Sequence, residues 1–184
     1  PSERIEFAKE VLSKPVADNP TNASHVYSNA GYTLAAMMLE RVSGESWESL
    51  VESQFNAELG VSAKLGWPNR TSELQPWGHY ESSFGSLVPM PPDHEYRLPY
   101  VLAPSGDLNM SVEEYAVFIQ ANLQGLLGDD RYLSAQAWEY LHTAYPDYSL
   151  GWGRIQNGDK SFSTHDGSAG TFYCRAGLSV TDNV

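Results

Sequence analysis

Apolar residues recur at helical spacing in several stretches, separated by serine, glycine and proline. Ile5, Ala8, Val11 and Leu12 share a face between Ser2 and Pro15, which predicts a short amphipathic helix. A polar loop, Asp18 to Ser24, follows. After Ser28 and Asn29, residue types that favour N-caps, the stretch Gly31 to Ser43 is apolar on nearly every face and Gly44 stands at the C′ position, so a buried helix is expected. Ser46 opens another helix with Trp47, Leu50, Val51 and Phe55 on one face, closing near Gly60. Ser111-Val112-Glu113-Glu114 reads as a capping box, and Tyr115, Phe118, Ile119, Leu123 and Leu126 follow as a core stripe up to Gly128. A further helix is expected from Ser134 to His142, ahead of Pro146.

From Ser149 the period changes to that of short strands: Leu150 to Gln156, a turn at Asn157-Gly158, Ser161 to His165, and Thr171 to Val180. Residues 61–110 hold most of the prolines, and Trp67-Pro68, Pro76-Trp77 and Pro89-Met90-Pro91-Pro92 break any regular period. Their aromatic content argues for an ordered, functional loop over a disordered one. The expected organisation is a mainly helical region, 1–148, with antiparallel strands over 149–184 that belong to the sheet of the same domain. Helices followed by strands without an internal repeat predict an α+β protein.

Composition narrows the function. The 184 residues carry Lys+Arg 11 against Asp+Glu 23, a formal net charge of −12, which repels phosphate backbones and anionic lipid, so no nucleic-acid partner is expected. The longest fully apolar run, Leu34 to Leu39, is far too short for a membrane span. Cys174 has no second cysteine to pair with and, on an expected strand, reads as a small buried hydrophobe. The chain starts at Pro1 without a basic-then-apolar leader and stops inside strand-like sequence, so it is expected to be an internal fragment.

Several chemistries find no support. The five histidines are too widely spaced for a helical metal pair, Gly151-Trp152-Gly153 lacks the third glycine of a dinucleotide fingerprint, and no Gly-Lys-Ser/Thr loop exists. No cofactor is expected. The acidic pairs Glu113-Glu114 and Asp129-Asp130 fit a helix start and a turn better than paired acid/base chemistry.

Two short segments carry chemical content. Tyr27-Ser28-Asn29 can be a tyrosine capping a buried helix with a polar turn, or a tyrosine whose phenolate is favoured by the helix N-terminus and so can serve as a general base. His165-Asp166-Gly167-Ser168 can be an ordinary hairpin with a surface histidine. It can equally be a strand edge where Gly167 lets a substrate backbone approach and the following N–H meets a developing oxyanion. Trp67 in the long loop is expected in the core, while Trp77-Gly78-His79-Tyr80 could be core or cleft wall.

Together these segments resemble the serine β-lactamase-like hydrolases: class C β-lactamases, D-alanyl-D-alanine peptidases and related esterases. His25 to Leu34 followed by Glu40-Arg41-Val42-Ser43-Gly44 is similar to that family's Tyr-x-Asn segment and helix. Pro104 to Ser111 is similar to the loop before a later helix, and His165-Asp166-Gly167 stands where the family has Lys/His-x-Gly. The order and the intervening Leu150-Gly151-Trp152-Gly153 agree, so the resemblance covers nearly the whole chain from residue 3. It implies a helical subdomain plus part of an antiparallel sheet of the β-lactamase/transpeptidase-like fold.

The departure is the nucleophile, because no serine here has a lysine three residues later and no Gly-x-Ser-x-Gly elbow occurs. The Ser-x-x-Lys segment is expected upstream of Pro1 and a final strand and helix beyond Val184, leaving this chain alone inactive and open to association with a chain or segment that supplies the missing strands. In the complete protein the resemblance implies an acyl-enzyme on an amide or ester of a small molecule or peptide. Tyr27 would share the proton work, Asn29 would fix the lysine and a substrate carbonyl, His165 would supply polarity opposite the leaving side, and Ser168 N–H would be one oxyanion donor. The role of Asp166 is open. The rival reading is a non-catalytic module that binds peptides or cell-wall fragments. Family habit implies an extracytoplasmic, periplasmic or secreted bacterial protein.

Overall fold

A computed structural model describes residues 2–15, 25–72 and 74–184, and the loop expected over Asp18–Ser24 lies outside them. The contacts form two compact units, one from the described residues of 1–17, 28–111 and 168–173, the other from those of 18–27, 112–167 and 174–184.

The first unit begins with α1 (Ser2–Ser13) and α2 (Asn29–Ser43). Ser28 caps α2 by accepting the Gly31 N–H at 3.0 Å, and Gly44 ends it in the left-handed region at φ +76°, where a Cβ would be strained, with its N–H on the Glu40 carbonyl at 2.9 Å. The burial expected around the whole of α2 is not found: Thr33 and Ala36 are buried, whereas Met38, Leu39 and Val42 stand exposed, Val42 to 88%. Within the unit α2 packs against α1 and the 3₁₀ segment Tyr100–Ser105, and the Thr33 hydroxyl donates to the Val101 carbonyl at 3.0 Å.

Ser46 caps the next helix through the Ser49 N–H at 3.1 Å, as its sequence predicts. That helix is α3 (Trp47–Leu50), a π-helical stretch Val51–Asn56 and α4 (Ala57–Leu59) in succession, ended by Gly60. The buried Asn56 side chain then holds residue 63 from both sides, donating to the Ala63 carbonyl at 2.9 Å and accepting its N–H at 3.0 Å. The long loop is ordered by two small antiparallel sheets, β1 (Lys64–Leu65) with β4 (Leu108–Asn109) and β2 (His79–Glu81) with β3 (Leu87–Pro89). Trp67 is buried, with the Arg70 guanidinium 4.2 Å above its ring. Arg70 donates to the Pro92, His94 and Tyr96 carbonyls, so one cation on one indole gathers the proline-rich segment.

The second unit contains α5 (Val112–Leu126), α6 (Ala135–Thr143) and, except for the strand-end residues Ser168 and Tyr173, an antiparallel sheet in the order β5 (Gly153–Asn157), β6 (Lys160–Ser168), β7 (Tyr173–Leu178). Ser134 caps α6 through the Ala137 N–H. The β5–β6 hairpin pairs Asn157 with Lys160, which puts the two-residue turn at Gly158-Asp159, one residue beyond its sequence position. Among the described residues of this unit, Leu123, Trp138, Trp152, Ala176 and Leu178 are the buried apolar ones, and Ala176 and Leu178 show the period-2 alternation of a half-buried strand. Cys174 corrects the sequence reading: it is exposed, although it stands on the same face of β7 as Ala176 and Leu178, because burial of that face begins only at Ala176.

Candidate active site

Tyr27, His165, Asp166 and Gly167 fall in the second unit, Asn29 and Ser168 in the first. Tyr27 precedes the capping Ser28 and is 62% exposed. Its ring meets His25 edge to face at 6.5 Å, and His25 lies on Tyr148 at 4.3 Å. Tyr148 in turn bridges to Gly153, the first residue of β5, whose partner on β6 is Thr164, next to His165. A relay of three aromatic rings therefore ties the Tyr27 loop to the sheet that carries the second motif. Asn29 opens α2, whose cap is made by the neighbouring Ser28.

Strand alternation places His165 and Gly167 on one face of the central strand β6 and Asp166 and Ser168 on the other. The His165 ring is half-buried, with Nδ1 2.5 Å from the Gly151 carbonyl and an edge-to-face contact with the indole of Trp152 at 6.4 Å. A carbonyl can only accept, so Nδ1 carries the proton and, in the uncharged ring, Nε2 carries the lone pair. Gly167 lies so close to Cys174 that a Cβ there would stand 2.8 Å from Sγ. Asp166 accepts both Nε and Nη2 of Arg175, at 2.6 and 2.8 Å, in the bidentate pairing typical of guanidinium and carboxylate, which staples β6 to β7.

In the first unit, the segment after the motif is held by the long loop. The Tyr96 hydroxyl donates to the Ala169 carbonyl at 2.9 Å, His79 N–H to the Thr171 carbonyl at 3.0 Å, and Phe172 meets Trp67 edge to face. Gly78 is buried where a Cβ would stand 2.8 Å from Thr171. Of the loop residues weighed from sequence, Trp67 is core, Trp77 is half-buried, and His79 and Tyr80 are exposed. Sequence reasoning missed Tyr96 and Tyr148, since neither stands in a motif and each is recruited by a long-range partner.

A second histidine stacks on Trp152 within the second unit. His142 is buried on the Trp152 ring, 4.4 Å between centroids and 26° between planes, and burial lowers its pKa to about 4. No group of three or more His, Cys, Asp or Glu among the described residues could hold a metal ion, and no described helix is long and apolar enough to cross a membrane.

The family model described as Beta-lactamase matches residues 3–177, and no curated protein matches the chain. Among solved structures, the octameric penicillin-binding protein homologue from Pyrococcus abyssi is similar over 99% of this chain and 41% of its own, with 23% identity and a TM-score of 0.78. D-amino acid amidase from Ochrobactrum anthropi SV3 complexed with D-phenylalanine is similar over 94% of this chain and 57% of its own, at 17% identity and TM-score 0.62. For the class C beta lactamase from Rhodobacter sphaeroides the figures are 97%, 57%, 13% and 0.68. The chain thus spans between 41% and 57% of the length of these proteins. Identities this low speak for fold alone, and that fold is α+β, a helical part with antiparallel sheet of the β-lactamase/transpeptidase-like kind.

Proposed function

We propose that this chain, which belongs to the Beta-lactamase family, carries the Tyr-x-Asn and His-x-Gly parts of the active site of a serine hydrolase that forms an acyl-enzyme on an amide or ester. The observation that carries the reading is the ring relay Tyr27–His25–Tyr148, which roots the Tyr27 loop beside β5 and β6 in the unit that bears His165. A capping tyrosine has no need of such an anchor, whereas a general base must be held against the sheet that lines its substrate.

In this reading the nucleophile is a serine with a lysine three residues on, a pattern absent from these 184 residues. Tyr27 and that lysine move the proton, Asn29 fixes the lysine and a substrate carbonyl, and His165 offers Nε2 toward the substrate while Gly151 holds Nδ1. Ser168 N–H supplies one oxyanion donor. Asp166 stapled to Arg175 sets the spacing of β6 and β7 rather than meeting the oxyanion, which its own charge would repel. The substrate is a small molecule or peptide, the setting extracytoplasmic, and a chain or segment that completes the sheet is the expected partner.

The test is acylation. The full-length protein should form a covalent adduct with an activated ester or a β-lactam, seen by mass spectrometry on a serine of a Ser-x-x-Lys segment, whereas residues 1–184 alone should stay unlabelled. Tyr27→Phe should lower turnover by roughly a hundredfold with the fold intact. A full-length protein that binds peptides or cell-wall fragments without any adduct would make it a binding module instead.

A further inference from the structure

Three residues of the second unit are unexplained by this chemistry: a buried amide, Asn122, a buried imidazole, His142, and a buried indole, Trp152. Asn122 donates through Nδ2 to the Phe118 carbonyl at 2.8 Å, so its Oδ1 faces His142 Nε2, 3.1 Å away, and accepts the proton there. His142 is thereby fixed as the Nε2–H tautomer, and its Nδ1 is buried without a hydrogen-bond partner among the described residues. A polar ring carried in a core at that cost needs a structural return. The ring lies flat against Trp152, and Phe118, on the same turn of α5 that receives the Asn122 amide, is also stacked with Trp152 at 6.5 Å.

Trp152 follows Gly151, the residue whose carbonyl takes the His165 proton. Gly151 sits at φ +91°, and the turn around it is closed by Ser149 N–H on the Trp152 carbonyl at 2.7 Å. The end of α6 secures the same turn: Leu150 N–H donates to the Leu141 carbonyl and the Ser149 hydroxyl to the Tyr140 carbonyl, while the Ala144 N–H donates to Ser149 Oγ. The indole and the His165 ring then meet edge to face. Every one of these contacts lies within the second unit.

We infer that Trp152 is the positioning residue for His165, and that the Asn122–His142 pair exists to hold Trp152. It aims the Gly151 carbonyl at Nδ1 and blocks rotation of the ring, so that Nε2 is the nitrogen presented to the substrate. This rests on the reading of His165 as a site residue.

The experiment is histidine-selective ¹⁵N NMR on the full-length protein, with the five rings assigned by single His→Gln variants, alongside steady-state kinetics. His142 should show the Nε2–H tautomer and His165 the Nδ1–H tautomer, with the His165 ring protons shifted by the Trp152 ring current. Trp152→Leu should mix the His165 tautomers and lower kcat about tenfold while KM stays within about twofold, and Trp152→Phe should restore both readouts. Should Trp152→Leu fail to fold, His142→Gln, which keeps a donor for Asn122 but removes the ring face, should also mix the His165 tautomers. Unchanged His165 signals in either folded variant, or no Trp152 ring current on His165 in the parent protein, overturn the inference. The NMR readout needs no turnover, so a protein that is never acylated refutes the functional reading without being confused with a failure of this one.

Discussion

Gly125 on α5 lies against the indole of Trp138 on α6 so closely that a Cβ at residue 125 would stand 2.1 Å from Cδ1. Glycine inside a helix costs about 1 kcal/mol relative to alanine, so Gly125→Ala at an exposed site would stabilise α5. Here the opposite is expected, because Trp138 is buried and cannot swing away without opening the core of the second unit. Overpacking of this kind costs about 1–3 kcal/mol, which exceeds the gain in helix propensity. Chemical denaturation should show Gly125→Ala less stable than the parent, and a variant of equal or greater stability would mean the α5–α6 contact is looser than described.

Arg4 should be the most consequential charge in the first unit. Fully buried, it pairs with Glu40 and Glu48 and lies 4.6 Å from the Tyr100 ring centroid, while Tyr100 donates to Glu48 at 2.7 Å. The cluster joins α1, α2, α3 and the Tyr100–Ser105 segment. Burial alone would raise the Glu48 pKa, but the hydrogen bonds from Arg4 and Tyr100 outweigh it and hold the group at about 2, against an ordinary 4.5. A depressed carboxylate pKa stabilises the fold at pH above 4.5, and that contribution is lost as pH falls toward 2. Arg4→Met should cost about 2 kcal/mol at neutral pH, below the 3–5 of a fully buried pair because Glu48 keeps some contact with water. Urea unfolding from pH 7 to pH 2 checks it, and the gap between parent and variant should narrow toward the acid end.

The helices were legible because their signals are local. Ser28, Ser46 and Ser134 cap the helices their sequence announces, and Gly44 and Gly60 end two of them. The hairpin was legible for the same reason, to within one residue. What sequence could not show depends on partners far along the chain. Nothing local says that α2 packs on one side only, leaving Val42 exposed, or that burial along β7 begins only at Ala176 and leaves Cys174 exposed. The candidate site divides in the same way. Tyr27, Asn29 and His165 stand in short motifs, whereas Tyr148, Trp152 and His142 matter only through rings 10 to 123 residues away, and periodicity carries no trace of them.

The buried His142 supplies a second pH dependence, separate from that of Glu48. An unfolded chain protonates this imidazole near its ordinary 6.5, while burial holds the folded-state value at about 4. Between those values the unfolded state binds a proton that the folded state refuses. Stability from this group is therefore complete above pH 6.5 and is lost as pH falls toward 4. The Glu48 window begins at 4.5 and runs lower, so the two scarcely overlap. Asp107, whose pKa burial raises, acts in the opposite sense, but it is present in parent and variant alike and cancels from their difference. Melting temperatures of the parent and of His142→Gln, taken between pH 4 and 7.5, isolate the effect. The variant is expected to melt lower throughout because it loses the Trp152 stack, yet its curve should be flatter between pH 6.5 and 4. Equal slopes in that interval would mean that the imidazole is protonated in the folded state at mild acidity, and that water reaches the ring through the α5–α6 face.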